Sequence, residues 1–176
     1  MPRRRPSEAV RAYVHPLQQA LSCVSDCILR PSGYEADVPQ SLTLSKPVAF
    51  VASDSCLYGL SFIQSFKIAR RTGNRWRITT LAYYYALETE DGDEIIAYHW
   101  HPNAGGEQVA FPHLHVGNGA RCGCAELLHA HLPTGRIAFE DFIRCIITEF
   151  HVDARPGWER VLERSRSVFP RYRAWP

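Results

Sequence analysis

The sequence predicts a single-domain α+β protein: an antiparallel β-meander of about five strands, with an N-terminal helix and two C-terminal helices packed on one face. Two observations predict it. Apolar residues recur at helical spacing before Ser32 and again after Ala138, whereas between Val48 and Gly117 they fall in short β-rich runs bounded by turn residues. A chain of 176 residues suffices for one well-filled core. Residues 7–176 are therefore read as one domain, preceded by a basic flexible arm, residues 1–6, that carries Arg3, Arg4 and Arg5.

Ser7 reads as the N-cap of the first helix, which carries Val10, Tyr13, Val14, Leu17, Leu21, Val24 and Ile28 on one stripe. Pro16 is expected to kink or interrupt it, because proline lacks the amide donor that the helix interior uses. From Arg30 to Pro47 the chain has turn residues and little periodicity. Strands are expected over Val48–Ala52, Leu57–Arg71, Arg75–Glu88, Glu94–His101 and Phe111–Gly117. Thr72-Gly73-Asn74 and Asp91-Gly92 supply residues that tolerate positive φ and so read as hairpin turns, while Pro102–Gln108 is a polar loop. Phe139, Phe142, Ile143, Ile146, Ile147 and Phe150 form one apolar helical face, with Glu140 and Asp141 at the positive end of its dipole. Trp158, Val161, Leu162, Ser165 and Phe169 form a second such face.

Register follows from the turns. A two-residue loop at Asp91-Gly92 sets His99 opposite Tyr84 and His101 opposite Ala82, and a three-residue loop at Thr72–Asn74 sets Phe62 beside Tyr84. The core face then collects Phe62, Phe66, Ile68, Trp76, Ile78 and Tyr84, with His99 and His101 at its far end. The opposite face carries Lys67, Arg71, Arg75 and Arg77 near one end and Tyr83, Tyr85, Tyr98 and Trp100 near the other. Basic residues interleaved with aromatics suit a single strand of nucleic acid, through phosphate contacts and base stacking; an ordinary amphipathic sheet face has the same composition.

The formal net charge is +2, and of the 20 basic residues only Lys46 and Lys67 are lysine. Arginine favours phosphate recognition, although the codon bias of a GC-rich genome produces the same composition. No run of residues is long and apolar enough for a membrane span, and the N-terminus lacks the apolar core of a signal peptide, so a cytoplasmic protein without membrane contact is expected. The six cysteines are then expected as thiols. There is neither a Gly-x-x-x-x-Gly-Lys loop nor a Gly-x-Gly-x-x-Gly turn, which argues against an NTPase or dinucleotide enzyme.

Chemistry concentrates between Tyr98 and His131, where His99/His101, His113/His115 and His129/His131 form three His-x-His pairs. On a strand, residues i and i+2 share a face, so each pair presents two imidazoles side by side. Two readings follow. In one, His99 or His101 and His113 or His115 act as base and acid in cleaving a phosphodiester, with Arg121 and Arg136 as phosphate contacts. In the other, the same four histidines bind zinc or another transition metal, with Cys122-Gly-Cys124 as a further thiolate source. Glu107 and Glu126 are the only carboxylates in this stretch, which argues against a magnesium site.

Tyr98-His99-Trp100-His101-Pro102, Phe111-Pro112-His113-Leu114-His115 and the helix from Phe139 resemble the TumE-like small toxins of bacterial toxin-antitoxin systems. The likeness covers about half the chain and omits the helix before Ser32. It implies a toxin or defence context, RNA as the target and a cognate inhibitory protein partner. The function expected is RNA phosphodiester cleavage by the histidine cluster; the alternative is a non-catalytic interaction module holding a structural zinc or a buried histidine network.

Overall fold

The structure, a computed structural model, describes residues 5–52, 56–71, 75–102 and 109–168, with the backbone alone at 71, 75 and 129. The turn expected at Thr72–Asn74, most of the polar loop before Val109, the first four residues of the arm and Phe169 lie outside the described residues.

Three helices and an eight-stranded antiparallel sheet make up the described chain, in the order α1 (Pro6–Leu21), β1 (Leu29–Pro31), β2 (Pro39–Leu44), β3 (Val48–Val51), β4 (Leu57–Arg71), β5 (Arg75–Thr89), β6 (Glu94–Trp100), β7 (His113–Val116), β8 (Leu132–Pro133), α2 (Phe139–Glu149) and α3 (Trp158–Ser167). The sheet runs β1-β2-β4-β5-β6-β7-β8, and β3 pairs with the part of β4 that β2 leaves free. The α+β class and the helix positions are as the sequence predicts. The strand count is higher because β1, β2 and β8 come from segments without an obvious pattern. In β2 the inward residues Gln40 and Leu42 alternate with Ser41 and Thr43, but the run is too short and polar to stand out.

Helix α1 begins one residue before Ser7, with Pro6 in its first turn, where the missing amide costs nothing. It continues through Pro16 and ends at Leu21, so Ile28 lies beyond it, 58% exposed. The chain then reverses, and Gln18 fastens the return: its Nε2 donates to the Cys27 carbonyl and its Oε1 accepts from the Leu29 amide, each at 2.8 Å. Tyr13, Leu17 and Leu21 are fully buried. Helix α3 packs on α1 and α2, and α1 and α2 lie on the central strands. The Ser165 hydroxyl sits 2.6 Å from both the Pro16 carbonyl and Glu140 Oε1, joining the three helices at one buried point.

Two irregularities decide which side chains meet the helices. Between β4 and β5, Phe66 pairs with Thr80 but Ser65 pairs with Ala82, so Leu81 is an extra residue. Burial records the phase change: Ile78 and Thr80 are buried before the bulge, and Tyr83, Tyr85 and Leu87 after it. Phe62 therefore stands opposite Tyr85, stacked at 5.4 Å, and not beside Tyr84. Tyr83, Tyr85 and Trp100 are at most 2% exposed, and Tyr98 packs edge-on against Phe142. The expected assignment of faces is thus reversed past Leu81: the aromatics fill the helix-covered core, and the nucleic-acid platform read from them does not exist. Tyr84 and His99 take the outer face.

The core aromatics keep their polar ends satisfied. Tyr85 donates to Gln64 Oε1 at 3.2 Å, Gln64 donates to Thr80 at 3.2 Å, and Tyr13 lies 3.3 Å from the same threonine hydroxyl. Phe139 meets Phe62 edge-on at 4.6 Å, which seats α2 on the sheet.

The second irregularity lies in the β5–β6 hairpin. Thr89 accepts from the Gly92 amide, and its own amide donates to Asp93, so the loop is Glu90-Asp91-Gly92, one residue longer than its Asp-Gly signature implies. Gly92 has φ +87°, the left-handed conformation that such a loop needs at its last position. Glu88 then pairs with Glu94 and Leu87 with Ile96, leaving Ile95 as an extra residue. The longer loop and the bulge cancel, and His99 pairs with Tyr84 as the shorter loop predicts.

Candidate metal centre

Strands β6 and β7 pair His99 with His113 and Ala97 with His115, which sets three imidazoles on the outer face of the sheet. Each strand contributes by alternation alone: Leu114 and Val116 point to the other face, and Ala97 is small enough to leave room for its histidine neighbour. The rings form one cluster. His99 and His115 stack 4.5 Å apart at 9°, His113 lies 5.4 Å from His99 and 4.8 Å from His115, and His101 lies 5.6 Å from His99. His131, just before β8, meets His115 edge-on at 4.5 Å and His113 at 5.0 Å.

Ligand-capable atoms of His99, His113 and His115 all lie within 4.8 Å of one another, and this is the cluster able to hold a metal ion among the described residues. Nε2 of His99 and of His115 are buried without a hydrogen-bond partner. Buried polar atoms in folded proteins are nearly always paired, so two orphans side by side leave this spot able to take an added donor or a metal ion. His113 is fixed differently: its Nδ1 lies 2.7 Å from the Phe111 carbonyl, which can only accept, so Nδ1 carries the proton and Nε2 is left as the ligand atom.

Burial and the neighbouring imidazoles set the electrostatics. His115 is pushed down to about 4, first by burial and then by the positive charge that His99 and His113 would carry. His113 and His101 are likewise lowered, burial again being the largest cause. All three are shifted toward the neutral form, which is the form that binds metal.

A carboxylate that the sequence reading missed lies beside His99. Glu94 Oε2 accepts from the Tyr84 hydroxyl at 3.0 Å and lies 3.9 Å from His99 Nε2, beyond hydrogen-bond reach. Its carboxyl is held below the ordinary range, chiefly by His99 and then by the Tyr84 hydroxyl against the opposing effect of burial. Tyr84 is raised, by burial first and the Glu94 charge next. In an unbroken strand Glu94 and His99 would face opposite ways, being five apart; the bulge at Ile95 brings them together. No residue signal in Glu94-Ile95-Ile96 announces that bulge.

The other expected site residues lie at different places. Cys122 and Cys124 face the loop that carries them, Cys124 Sγ lying 3.2 Å from Glu126 Oε2, and neither joins the cluster. Arg136 is exposed with its guanidinium 4.2 Å from the Trp100 ring centroid, and Arg121 is exposed in a left-handed conformation after a short 3-10 helix, Asn118–Ala120. The side chain of His129 lies outside what is described. His151, at φ +53°, follows the end of α2, is exposed and lies apart from the cluster. No helix among the described residues is long and apolar enough to cross a membrane.

No protein-family model matches the chain, and neither a curated protein nor a solved structure matches it.

Proposed function

We propose that the protein is a toxin-like, metal-dependent ribonuclease in which His99, His113 and His115 hold a transition-metal ion that activates water for attack on an RNA phosphodiester. The observation that carries this reading is the pair of buried, unpartnered Nε2 atoms on His99 and His115, within ligand distance of a third imidazole whose tautomer is already set. Acid-base cleavage without metal fits less well. Burial shifts His101, His113 and His115 toward the neutral form, away from the protonated acid that such chemistry would ask of them.

The cluster lies near the surface, the His99 and Glu94 side chains being 18% and 25% exposed, and three imidazoles leave a fourth position for water or substrate. An open position suits catalysis, whereas a structural zinc is closed by four ligands. Support for a polyanionic substrate comes from the same face. Lys67 and Arg77 lie on outward positions of β4 and β5, and the bulge at Leu81 puts them on the side that carries the histidines. Lys67 is four residues along β4 from Ile63, the partner of Tyr84, or about 13 Å at the rise of a strand. A cognate inhibitory protein would act by covering this face.

The test is cleavage of a mixed RNA by the untagged protein, with and without EDTA, beside His115→Ala. Loss of cleavage in EDTA, its return with added metal and its absence in the mutant are expected. Cleavage that survives EDTA but not the mutation would favour histidine acid-base chemistry, and a preparation that never cuts RNA would end the ribonuclease reading.

A further inference from the structure

We infer that Glu94 is a fourth protein donor to the same ion, making a three-histidine, one-carboxylate centre that takes a divalent first-row metal in five- or six-coordination. The inference rests on the three-histidine centre proposed above and extends its ligand set.

Four independent features hold Glu94 where it is. The Ile95 bulge turns it onto the histidine face. Tyr84, the cross-strand partner of His99, donates to Glu94 Oε2, the same oxygen that lies 3.9 Å from His99 Nε2. Metal-bound carboxylates commonly receive such a second hydrogen bond, which fixes the oxygen that faces the ion. Gly117 packs directly on the Glu94 backbone, where a Cβ would stand 2.1 Å from its carbonyl oxygen and 2.7 Å from its own Cβ. Gly119 is as closely set, its missing Cβ falling 2.6 Å from the Asp93 carbonyl oxygen. Only glycine fits at either place, so the loop after β7 clamps the start of β6. An incidental surface carboxylate would need none of these.

Chemistry then narrows the metal. Three imidazoles alone suit a four-coordinate zinc with one open position, whereas an added hard oxygen donor favours ions that accept mixed nitrogen and oxygen ligands in higher coordination. With four protein donors, such an ion keeps one or two positions for water and substrate.

Cobalt(II) reports coordination number through its visible absorption, so the test is titration of the metal-free protein with cobalt(II) alone. Wild type, Glu94→Gln, Tyr84→Phe and His115→Ala are compared, with circular dichroism recording the fold of each. Wild type is expected to give the weak bands of five- or six-coordinate cobalt. Glu94→Gln should give either the intense bands of a four-coordinate ion or at least tenfold weaker binding, and Tyr84→Phe a smaller weakening. If Glu94→Gln does not fold, Tyr84→Phe decides: unchanged affinity and spectrum would overturn the assignment. Identical spectra and affinities for wild type and Glu94→Gln would also overturn it, while loss of binding in His115→Ala alone would leave the three-histidine centre standing. A wild-type protein that binds no cobalt would overturn both.

Discussion

His99 and His115 lie with their imidazoles parallel, 4.5 Å apart, and each buries an Nε2 that has no hydrogen-bond partner. Two adjacent orphaned ring nitrogens are unfavourable in a metal-free fold, each costing about 1–3 kcal/mol of desolvation. A bound cation removes that cost, so ion and fold should be coupled.

The coupling predicts a chelator effect. With metal at about 100 times its dissociation constant, binding adds about 2.7 kcal/mol to stability, which for a domain of this size is about 5–10 °C in Tm. Calorimetry before and after exhaustive EDTA treatment should find that drop, with recovery on adding metal. An unchanged Tm in protein that has demonstrably lost its metal would contradict the coupling.

Acid should destabilise the metal-free protein in a defined window. His115 is held at about 4, against 6.5 ordinarily, so the unfolded chain takes up its proton first as pH falls. That contribution is whole above pH 6.5 and is lost between 6.5 and about 4. His113 and His101, also lowered from 6.5, act in the same direction. Glu94, lowered from 4.5, extends the loss below that pH. Thermal melts from pH 7 to 4 should fall throughout, and His115→Gln should fall less steeply; a Tm that is flat or rises on acidification would contradict the burial of these rings.

Gly117→Ala tests the clamp. A Cβ 2.1 Å from the Glu94 carbonyl oxygen cannot be accommodated without moving backbone, and a cost of about 3 kcal/mol is expected in urea unfolding. Gly123→Ala, where a Cβ meets nothing within 4 Å, is the control and should cost far less. Equal stability of the two variants would mean that the loop after β7 is not held against β6.

The Leu81 bulge also separates what was legible in the sequence from what was not. Helical stripes such as Phe139–Ile147 and the long strands Leu57–Arg71 and Arg75–Thr89 come from repeated spacing over many residues, which single irregularities do not erase. The pairing of His113 with His115 on one face follows from alternation over three residues with no bulge between them. Faces are another matter. They depend on every residue between a turn and the site, and one extra residue at Leu81 moved Tyr83, Tyr85 and Trp100 from the outer face to the core. Glu94 stayed hidden because its place depends on the bulge at Ile95. His99 was paired correctly with Tyr84 only because two irregularities in one hairpin offset each other.

Deleting Leu81 should therefore be far more damaging than losing one half-buried side chain. Without the extra residue, Tyr83 and Tyr85 leave the core and Tyr84 enters it. Leu81→Ala is expected to fold with a cost of about 1 kcal/mol, and the deletion to lose cooperative unfolding altogether. A deletion variant that melts like wild type would mean the bulge does not set the faces.

The most direct measurement is metal content. Protein purified without added metal or chelator should hold about one equivalent of a first-row transition ion by plasma mass spectrometry, and folded His99→Ala, His113→Ala and His115→Ala variants should each hold far less. Wild-type protein that stays metal-free after incubation with zinc, manganese, iron(II), cobalt and nickel, or variants that keep a full equivalent, would contradict a metal centre on this face.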